Sequence, residues 1–555
     1  MEAAVRKIIP LKPVSSAADI DIDQEVARFE AEERARLGLE DDKPSWFDPV
    51  PRHFTAGQRA HTTILCGGLT SAHDQLIEGA LTSLGYRFQH LDQPDNEALR
   101  IGKEMGNRGQ CNPTYFTVGN LIKHLIWLRD EQGLSTQEIE NNYLFVTGGS
   151  CGPCRFGMYA TEYRKALRDA GFPGFRVQLF QLNDGLKQAA LKLATGDKPG
   201  LEMNTPFFYK MLQAIMLGDV LNLIGYRMRP YEVTPGATDA VLEHCRTRLH
   251  QALQGGKRLG PVMRQCRREI EAVALDRTHI RPKVSIIGEF WAMTTEGDGN
   301  YGLQRFLEQE GAEVDVQPVT NWLLYMIWSK QFQTSERRLL RQDAEERVEG
   351  STRKMLASMW LADKTVRGVF GWYARSLGLK RYHLPDMEAI AEAARGHYNL
   401  NVAGGEGHME VGKFILTAQQ RKATLVISVK PFGCMPSSGV SDGVQSNVTE
   451  RHPQTLFLPI ETSGDGAVNV YSRVQMMLFK ARAAARDEVA RAEAETGLTA
   501  AQTQALARKS PQLARLLDPP PHSYKASTTT ANLIYAAAGW RGRLSRFSLA
   551  RTPAA

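Results

Sequence analysis

The chain has 555 residues and a mass of 61.8 kDa, which is too long for one ordinary hydrophobic core, and 42% of its residues are hydrophobic, enough for roughly two or three compact units. Its formal net charge of +7 is small for this length, and no dense Lys/Arg run is interleaved with aromatic residues, so nucleic-acid binding is not indicated. No apolar run approaches the roughly 18 to 20 residues that span a bilayer, and acidic residues interrupt the N-terminus where a signal peptide needs an apolar core. We therefore expect a cytoplasmic protein without membrane segments.

The first half of the chain predicts a parallel sheet. Residues 1–55 are a charged N-terminal extension with one predicted helix, and we assign no chemistry to them. From residue 56 to 184, strand-like and helix-like stretches alternate, beginning with TTILCGGLT and continuing through YLFVTGG and FRVQLFQL. Such alternation is typical of parallel strands with helices on both faces of the sheet.

The second half predicts another such sheet after a helical interval. Residues 185–280 contain long amphipathic stretches without strand signals and predict a helical connector. Alternation resumes over residues 281–480, with strands at KVSIIGEFWAM, ATLVISVKPFG and QTLFLPIET. Residues 481–555 predict a C-terminal helical extension and tail. The predicted fold class is therefore α/β, with two Rossmann-like parallel-sheet domains, a helical insertion and helical terminal extensions.

Four of the seven cysteines lie in loops rich in Gly and Pro: Cys111 in GNRGQCNPTY, Cys151 and Cys154 in GGSCGPCRFG, and Cys434 in VKPFGCMPSSG. The last three follow predicted strands, and the carboxyl ends of strands in an open α/β sheet line the crevice where ligands bind. Thiols that are distant in the sequence can therefore converge there. Neighbouring glycines let the backbone approach a bulky inorganic group, and their amides can donate to sulfide.

Three kinds of site are compatible with these four cysteines. CGPC after a strand matches the thioredoxin pattern, in which Cys151 and Cys154 would exchange with disulfides, although that chemistry needs neither Cys111 nor Cys434. A four-thiolate zinc site more often pairs two short C-x-x-C motifs, whereas this chain has one pair and two single cysteines. An iron-sulfur cluster held between large domains fits the spacing better.

The remaining cysteines are weaker candidates. Cys245 and Cys266 lie inside charged, helical stretches, where a lone cysteine is usually a small buried filler. Cys66 ends a predicted strand beside two glycines and could reach the same crevice, although an ordinary packing role is the simpler interpretation.

Several polar residues near the cysteines could support a site. Arg155 could pair with an anionic substrate or a negatively charged cluster, or could simply be a surface residue at a helix start. Glu406 and His408 in GGEGHME could act as acid or base, and Glu289 could line the second crevice. The residues that could donate or accept hydrogen bonds around the ligands are Asn112, Tyr115, Ser437, Ser438 and Asp442.

Three long strings carry a family resemblance: GNRGQCNPTYFTVGNL, GGSCGPCRFGMYATEYRKALRDAGF and VKPFGCMPSSGVSDGVQS. They resemble motifs of proteins related to 2-hydroxyacyl-CoA dehydratase subunits and their ATP-dependent activators, the CoA-substrate-specific enzyme activase-related proteins. The resemblance runs from about residue 60 to about residue 480. It implies two Rossmann-like domains that hold a cubane-type [4Fe-4S] cluster, with Cys111, Cys151, Cys154 and Cys434 at the cysteine positions of the motifs.

The resemblance also implies partners and a type of reaction. A separate ATPase with its own cluster would supply low-potential electrons, and this chain has no G-x-x-x-x-G-K-[ST] string of its own. The chain would then reduce or dehydrate a small molecule such as an acyl-CoA, and the resemblance implies a dimer. The motifs assign ligands but no catalytic residue.

One departure from the family leaves two interpretations open. Dehydratase subunits use three protein cysteines and leave one iron for substrate, whereas this chain offers four. Either all four bind and the chain is a nonenzymatic electron-relay or assembly subunit, or one ligand is displaced during turnover. A related branch with a double-cubane cluster is a further alternative.

Overall fold

The structure is a computed structural model, and it describes residues 22–37, 54–149, 154–180, 198–340, 346–402, 406–509 and 522–549. The chain forms two compact units, residues 1–50 and 51–555. The first unit contains the helix α1, Ile22–Leu37. All other elements belong to the second unit.

Two four-stranded sheets, both entirely parallel, form the framework of the second unit in the residues that the structure describes. The strands of the first sheet are β1 (Thr63–Cys66), β2 (Arg87–His90), β3 (Tyr143–Gly148) and β4 (Arg176–Phe180). The strands of the second sheet are β5 (Lys283–Gly288), β6 (Glu313–Val316), β7 (Leu425–Pro431) and β8 (Leu456–Thr462). The predicted α/β fold class with two parallel sheets is confirmed.

The two sheets share one strand order, β2-β1-β3-β4 and β6-β5-β7-β8. In each, the chain starts at an inner strand, moves to one edge and then crosses to the other side. The crossing point, between β1 and β3 or between β5 and β7, is where open α/β sheets place their ligands. The sequence shows no repeat that announces this shared topology.

The helices cover the sheets and also form a layer of their own. Those of the first sheet are α2 (Ser71–Thr82), α3 (Asn96–Met105), α4 (Asn112–Asp130), α5 (Thr136–Asn142) and α6 (Tyr159–Asp169). Next come α7 (Thr205–Met228), α8 (Ala237–Gln254) and α9 (Leu259–Glu271). The later helices are α10 (Phe290–Thr294), α11 (Leu303–Gln309), α12 (Val319–Leu340), α13 (Glu346–Leu377), α14 (Met387–Ala394), α15 (His408–Gln419), α16 (Met435–Gly439), α17 (Gln445–Arg451), α18 (Ala467–Thr496), α19 (Ala500–Lys509) and α20 (Thr529–Leu549).

Burial explains why the strands read as nearly continuous apolar runs. Every residue of β7 is buried, because helices cover both faces of a parallel sheet. Separate apolar clusters lie on the two faces of each sheet, and a further large cluster is formed by helices, chiefly α2, α7, α8, α9, α12, α13 and α14. This helical layer contains the predicted connector and also helices from the second half of the chain.

Helix α7 departs from the expectation that no apolar stretch of the chain is long enough to span a membrane. The segment Thr205–Tyr231 is long and apolar enough to cross a membrane by length and composition, because its charged residues are few. Two-thirds of its apolar window is nevertheless buried inside the protein, as in the core helix of a soluble protein. The run therefore serves the helical layer, where Met216, Leu217 and Val220 are fully buried.

Candidate functional site

The carboxyl ends of strands from both sheets open onto one cavity of about 360 Å³. β1 and β3 contribute Cys66 and Gly148 from the first sheet, and β5 and β7 lead to Glu289 and Pro431 from the second. The cavity is lined by the thiol residues Cys66, Cys111, Cys154 and Cys434 and the acidic residues Asp74, Glu289 and Glu406. Parts of the chain more than 300 residues apart therefore meet at one place.

Cys111 stands at the N-terminal end of α4, and Pro113 follows in the first turn, where a missing N–H costs nothing. The loop before it is held by Glu162 of α6, whose carboxylate accepts hydrogen bonds from the Asn107 amide and from Gln110 Nε2 at 3.0 Å. The position of Cys111 is thus set by polar contacts to a neighbouring helix.

The Cys434 loop is brought against the Cys111 loop by a glycine. Gly433 has φ +77°, and a Cβ there would lie 3.3 Å from the Cys111 Cα atom and 3.2 Å from the Gln110 carbonyl oxygen. The Asn112 amide donates to the Phe432 carbonyl at 3.0 Å. Only glycine combines this backbone conformation with this close approach, so the two cysteine loops are packed directly together.

Cys154 belongs to the loop after β3 and precedes the short 3₁₀ turn Arg155–Met158. The Arg155 guanidinium donates to the Gly109 carbonyl, which ties this loop to the Cys111 loop. Arg155 thus makes a structural contact as well as lining the cavity. Cys151, the other cysteine of CGPC, lies outside the described residues.

Hydroxyl groups surround the thiols. Cys111 Sγ is 3.1 Å from Tyr159 Oη and 3.2 Å from Thr114 Oγ1, and Cys434 Sγ is 3.4 Å from Ser437 Oγ. Sequence reasoning missed Tyr159, although it stands only five positions after Cys154 in the same motif. A phenol beside a buried thiol can donate a hydrogen bond to the sulfur, which supports a thiolate ligand.

Burial dominates the acid-base properties of two of these thiols. It raises the pKa of Cys154 to about 11, with nearby Glu289 and Glu406 adding to the rise, while the Phe156 amide opposes it. It raises the pKa of Cys434 to about 12, with Glu289 as the next cause. Both thiols are therefore protonated at neutral pH unless a positive group such as a metal joins them.

Two glutamates, Glu289 and Glu406, also line the cavity and form an acid pair. Glu406 Oε1 accepts hydrogen bonds from the Phe290 amide at 2.8 Å and from Trp322 Nε1 at 3.3 Å, and Glu289 Oε2 accepts from the Ala292 amide at 2.8 Å. Burial and repulsion by Glu289 raise the pKa of Glu406 to about 8, and burial raises the pKa of Glu289. At neutral pH Glu406 is thus mainly an uncharged acid that can donate a proton.

Eight aromatic side chains also line the cavity. They come from β2, from the turn after Cys154 and from the helices α6, α7, α10 and α12: Phe88, Phe156, Tyr159, Tyr163, Phe207, Phe290, Trp291 and Trp322. Such walls exclude water and lower the local dielectric constant, which explains the raised pKa values of the buried acids and thiols.

Other residues singled out from the sequence have other surroundings. His408 is buried against Trp328 and Tyr325, with ring centroids 4.5 Å and 5.3 Å away, and is not among the residues of the cavity wall. Ser438 Oγ donates to the Cys434 carbonyl at 2.7 Å, and Tyr115 Oη donates to the Asn107 carbonyl at 3.0 Å. Asn112 is buried after Cys111, and Asp442 lies in the π-helical turn Val440–Val444.

Within the described part of the chain, no group of three or more His, Cys, Asp or Glu side chains is arranged to hold a single metal ion. Cys245 and Cys266 lie in the helical layer, away from the cavity. Comparison with known proteins adds nothing to the assignment: no protein-family model and no curated protein matches this chain.

Proposed function

We propose that the chain is a cytoplasmic iron-sulfur protein related to 2-hydroxyacyl-CoA dehydratase subunits, which takes low-potential electrons from a separate ATP-dependent activator for a reduction or a radical dehydration. The observation that carries this proposal is that Cys111, Cys154 and Cys434, from three separate loops, line one cavity. Two of these loops are in direct backbone contact, and an arginine contact ties in the third.

The donor set fits a multi-iron cluster better than one metal ion. Each cysteine of a [4Fe-4S] cluster binds a different iron atom, so the thiols surround the cluster instead of converging on one point. The three cysteines line one cavity wall, as thiols around a cluster would. Zinc would need four ligands about 2.0–2.3 Å from one centre.

The resident group would supply one-electron chemistry, and the chain's own residues would supply the proton and the environment. Uncharged Glu406 holds its proton on Oε2, because Oε1 already accepts two hydrogen bonds. Glu289 is the neighbouring carboxylate in the same cavity. Aromatic walls exclude water, which protects a reduced centre and a reactive substrate. A reduction that needs both electrons and protons is therefore supported by this set of residues.

The number of thiol ligands separates an enzyme from an electron relay. Cys111, Cys154 and Cys434 account for three ligands, and Cys151 or a substrate would provide the fourth. The acid pair and the enclosed space beside the thiols support the enzyme, because a relay needs neither. Thiol-disulfide exchange at Cys151 and Cys154 is less supported, because it needs neither Cys111 nor Cys434, which line the same cavity.

Anaerobic purification followed by iron and sulfide analysis tests the proposal. We expect close to equal amounts of iron and acid-labile sulfide, and an electron paramagnetic resonance signal after reduction. Cyanide should perturb this signal if one iron is open to substrate, and should leave it unchanged in a fully thiolate-ligated relay. A metal-free protein whose Cys151 is alkylated selectively near neutral pH would replace the proposal with thiol-disulfide exchange.

A further inference from the structure

A second pair of cysteines lies in the helical layer, away from the cavity that the proposed function uses. Cys245 is in α8 and Cys266 in α9, and both side chains are 0% exposed. The two helices are joined by the short loop 255–258 and pack against each other. Cys266 Sγ is 4.0 Å from the Cys245 carbonyl oxygen, so the Cys266 thiol lies against the residue Cys245. The pair is therefore already in contact.

The cysteine pair has apolar neighbours and, in addition, a nearby ion pair. Leu249 and Met263 belong to the same apolar cluster. A partly exposed ion pair, Arg248 with Glu269 at 2.7 Å, lies within electrostatic reach of both thiols: Glu269 acts to raise the pKa of each thiol, and Arg248 acts to lower it. The guanidinium therefore favours the thiolate, which is the reactive form of a cysteine.

We propose that Cys245 and Cys266 are a redox-active dithiol that hydrogen peroxide converts into a disulfide between α8 and α9. The Cys266 thiolate attacks a peroxide oxygen, the O–O bond breaks, and the departing hydroxide takes up the proton that Cys266 lost, giving water and a sulfenic acid. The Cys245 thiol then attacks that sulfur, the S–O bond breaks and a second water leaves. The two thiols lose two electrons and two protons in total, and the peroxide is reduced to water.

The contact assigns different roles to the two sulfurs. The interaction between the two thiols lowers the pKa of Cys266 and raises the pKa of Cys245. Cys266 is therefore the attacking thiolate, and Cys245 keeps its proton until it resolves the sulfenic acid.

The disulfide would cross-link two helices, each of which packs on a further helix of the helical layer. α8 packs on α2, the helix that follows β1, and α9 packs on α13. A cross-link between α8 and α9 therefore restrains the layer without touching the cavity residues. Because the thiols are buried, oxidation proceeds at the rate at which the helix pair opens enough to admit peroxide.

Peptide mapping of the full-length protein tests the proposal. Anaerobically purified, reduced protein is treated with a small excess of hydrogen peroxide, blocked with N-ethylmaleimide and digested. We expect one cross-linked peptide pair containing Cys245 and Cys266, lighter by two hydrogen atoms than the two free peptides together, and its disappearance with dithiothreitol. The readout identifies residues, so damage to an iron-sulfur centre does not obscure it.

Two variants and one control sharpen the result. Cys66→Ser should leave the cross-link unchanged, and Cys266→Ser should abolish it. Arg248→Met keeps both cysteines and should slow cross-linking several-fold, which covers the case in which Cys266→Ser fails to fold. Recovery of Cys245 and Cys266 as separate alkylated peptides from peroxide-treated protein with native circular dichroism would overturn the proposal. Cross-linking that occurs only in urea would overturn it as well.

Discussion

The two sheet regions, residues 63–180 and 283–462, share one topology and contribute different chemistry to the same cavity. The first region supplies Cys111 and Cys154, whereas the second supplies Cys434 and both glutamates of the acid pair. Identical strand order therefore places functional loops at equivalent edges without dictating what they carry. Neither region alone holds three of the candidate ligands together with the proton donor, so the site exists only when the two are packed together.

Removing one thiol from each region tests whether both regions supply cluster ligands. Cys111→Ser and Cys434→Ser should each lower iron content strongly, because losing even an outer-shell partner typically costs about 10- to 100-fold in metal affinity and a lost ligand costs at least as much. Iron and sulfide analysis of anaerobically purified variants measures the effect. Cys66→Ser, in the same cavity wall but outside the three motifs, should retain its iron.

Equal iron in wild type and either variant would remove that cysteine from the ligand set. A loss of iron in Cys66→Ser of the same size would instead show that the cavity tolerates no change.

The link between the two regions can be broken without touching the cavity. Asp219 of α7 accepts hydrogen bonds from the amides of Val319 and Thr320 in the second region at 2.7 Å and 2.8 Å, and its Oδ1 is 3.2 Å from His73 Nε2 in the first. Asp219→Ala leaves these buried donors unpaired. We expect a loss of about 3–5 kcal/mol in the free energy of unfolding, the usual cost of breaking a buried pair, measured by urea denaturation.

The matched control is Asp130→Ala at a surface ion pair, in which Asp130 Oδ1 is 2.6 Å from Arg129 Nε. It should cost less than about 1 kcal/mol, since surface pairs contribute little. Equal losses in the two variants would mean that Asp219 does not join the regions.

The acid pair of the second region should make stability fall as pH rises. The folded-state pKa of Glu406, about 8, lies above the value of roughly 4.3 expected for an unfolded glutamate, so its contribution is complete below about pH 4.3 and is lost as pH rises through about 8. The expected slope is up to about 1.4 kcal/mol per pH unit between those values. Urea unfolding of wild type and Glu406→Gln at several pH values between about 6.5 and 8 should show a shallower slope for the variant.

Glutamine is a suitable replacement because its carbonyl oxygen can still accept the bonds from the Phe290 amide and Trp322. Parallel curves for the two proteins would show that Glu406 ionises normally in the folded chain.

The sequence predicted the framework well and the electrostatics poorly. Apolar runs such as KVSIIG and ATLVISVKP are strands because both faces of each parallel sheet are buried, and the Gly-rich ends of these runs do lead into the cavity. The contact between Cys111 and Gly433 could be anticipated only from the topology. The raised pKa of Glu406 depends on burial beside Glu289, 117 positions earlier, which no local pattern encodes.

Helix α7 is a second example of long-range contacts that no local sequence pattern encodes. This stretch with its single aspartate was predicted as part of a helical connector, and the sequence does not reveal that Asp219 takes partners from both sheet regions. The pairing of Cys245 with Cys266 was likewise hidden, because each cysteine on its own matches an ordinary filler.

The smallest expected effect separates the acid pair from its neighbour His408. Burial lowers the pKa of His408 to about 4, so the imidazole is neutral at pH 7, and its contacts are the rings of Trp328 and Tyr325. His408→Gln should cost about 0.5–1.5 kcal/mol of stability through lost ring packing and should leave iron content unchanged. Its folded-state pKa lies below the value of an unfolded histidine, so its contribution to stability should fall as pH drops from about 6.5 towards 4, and the variant should lose this contribution. The contributions of Glu406 and His408 have opposite signs between about pH 4.3 and 6.5, so in that range stability should fall with rising pH more steeply in His408→Gln than in the wild type. A change in iron content in His408→Gln would place this histidine in the site after all.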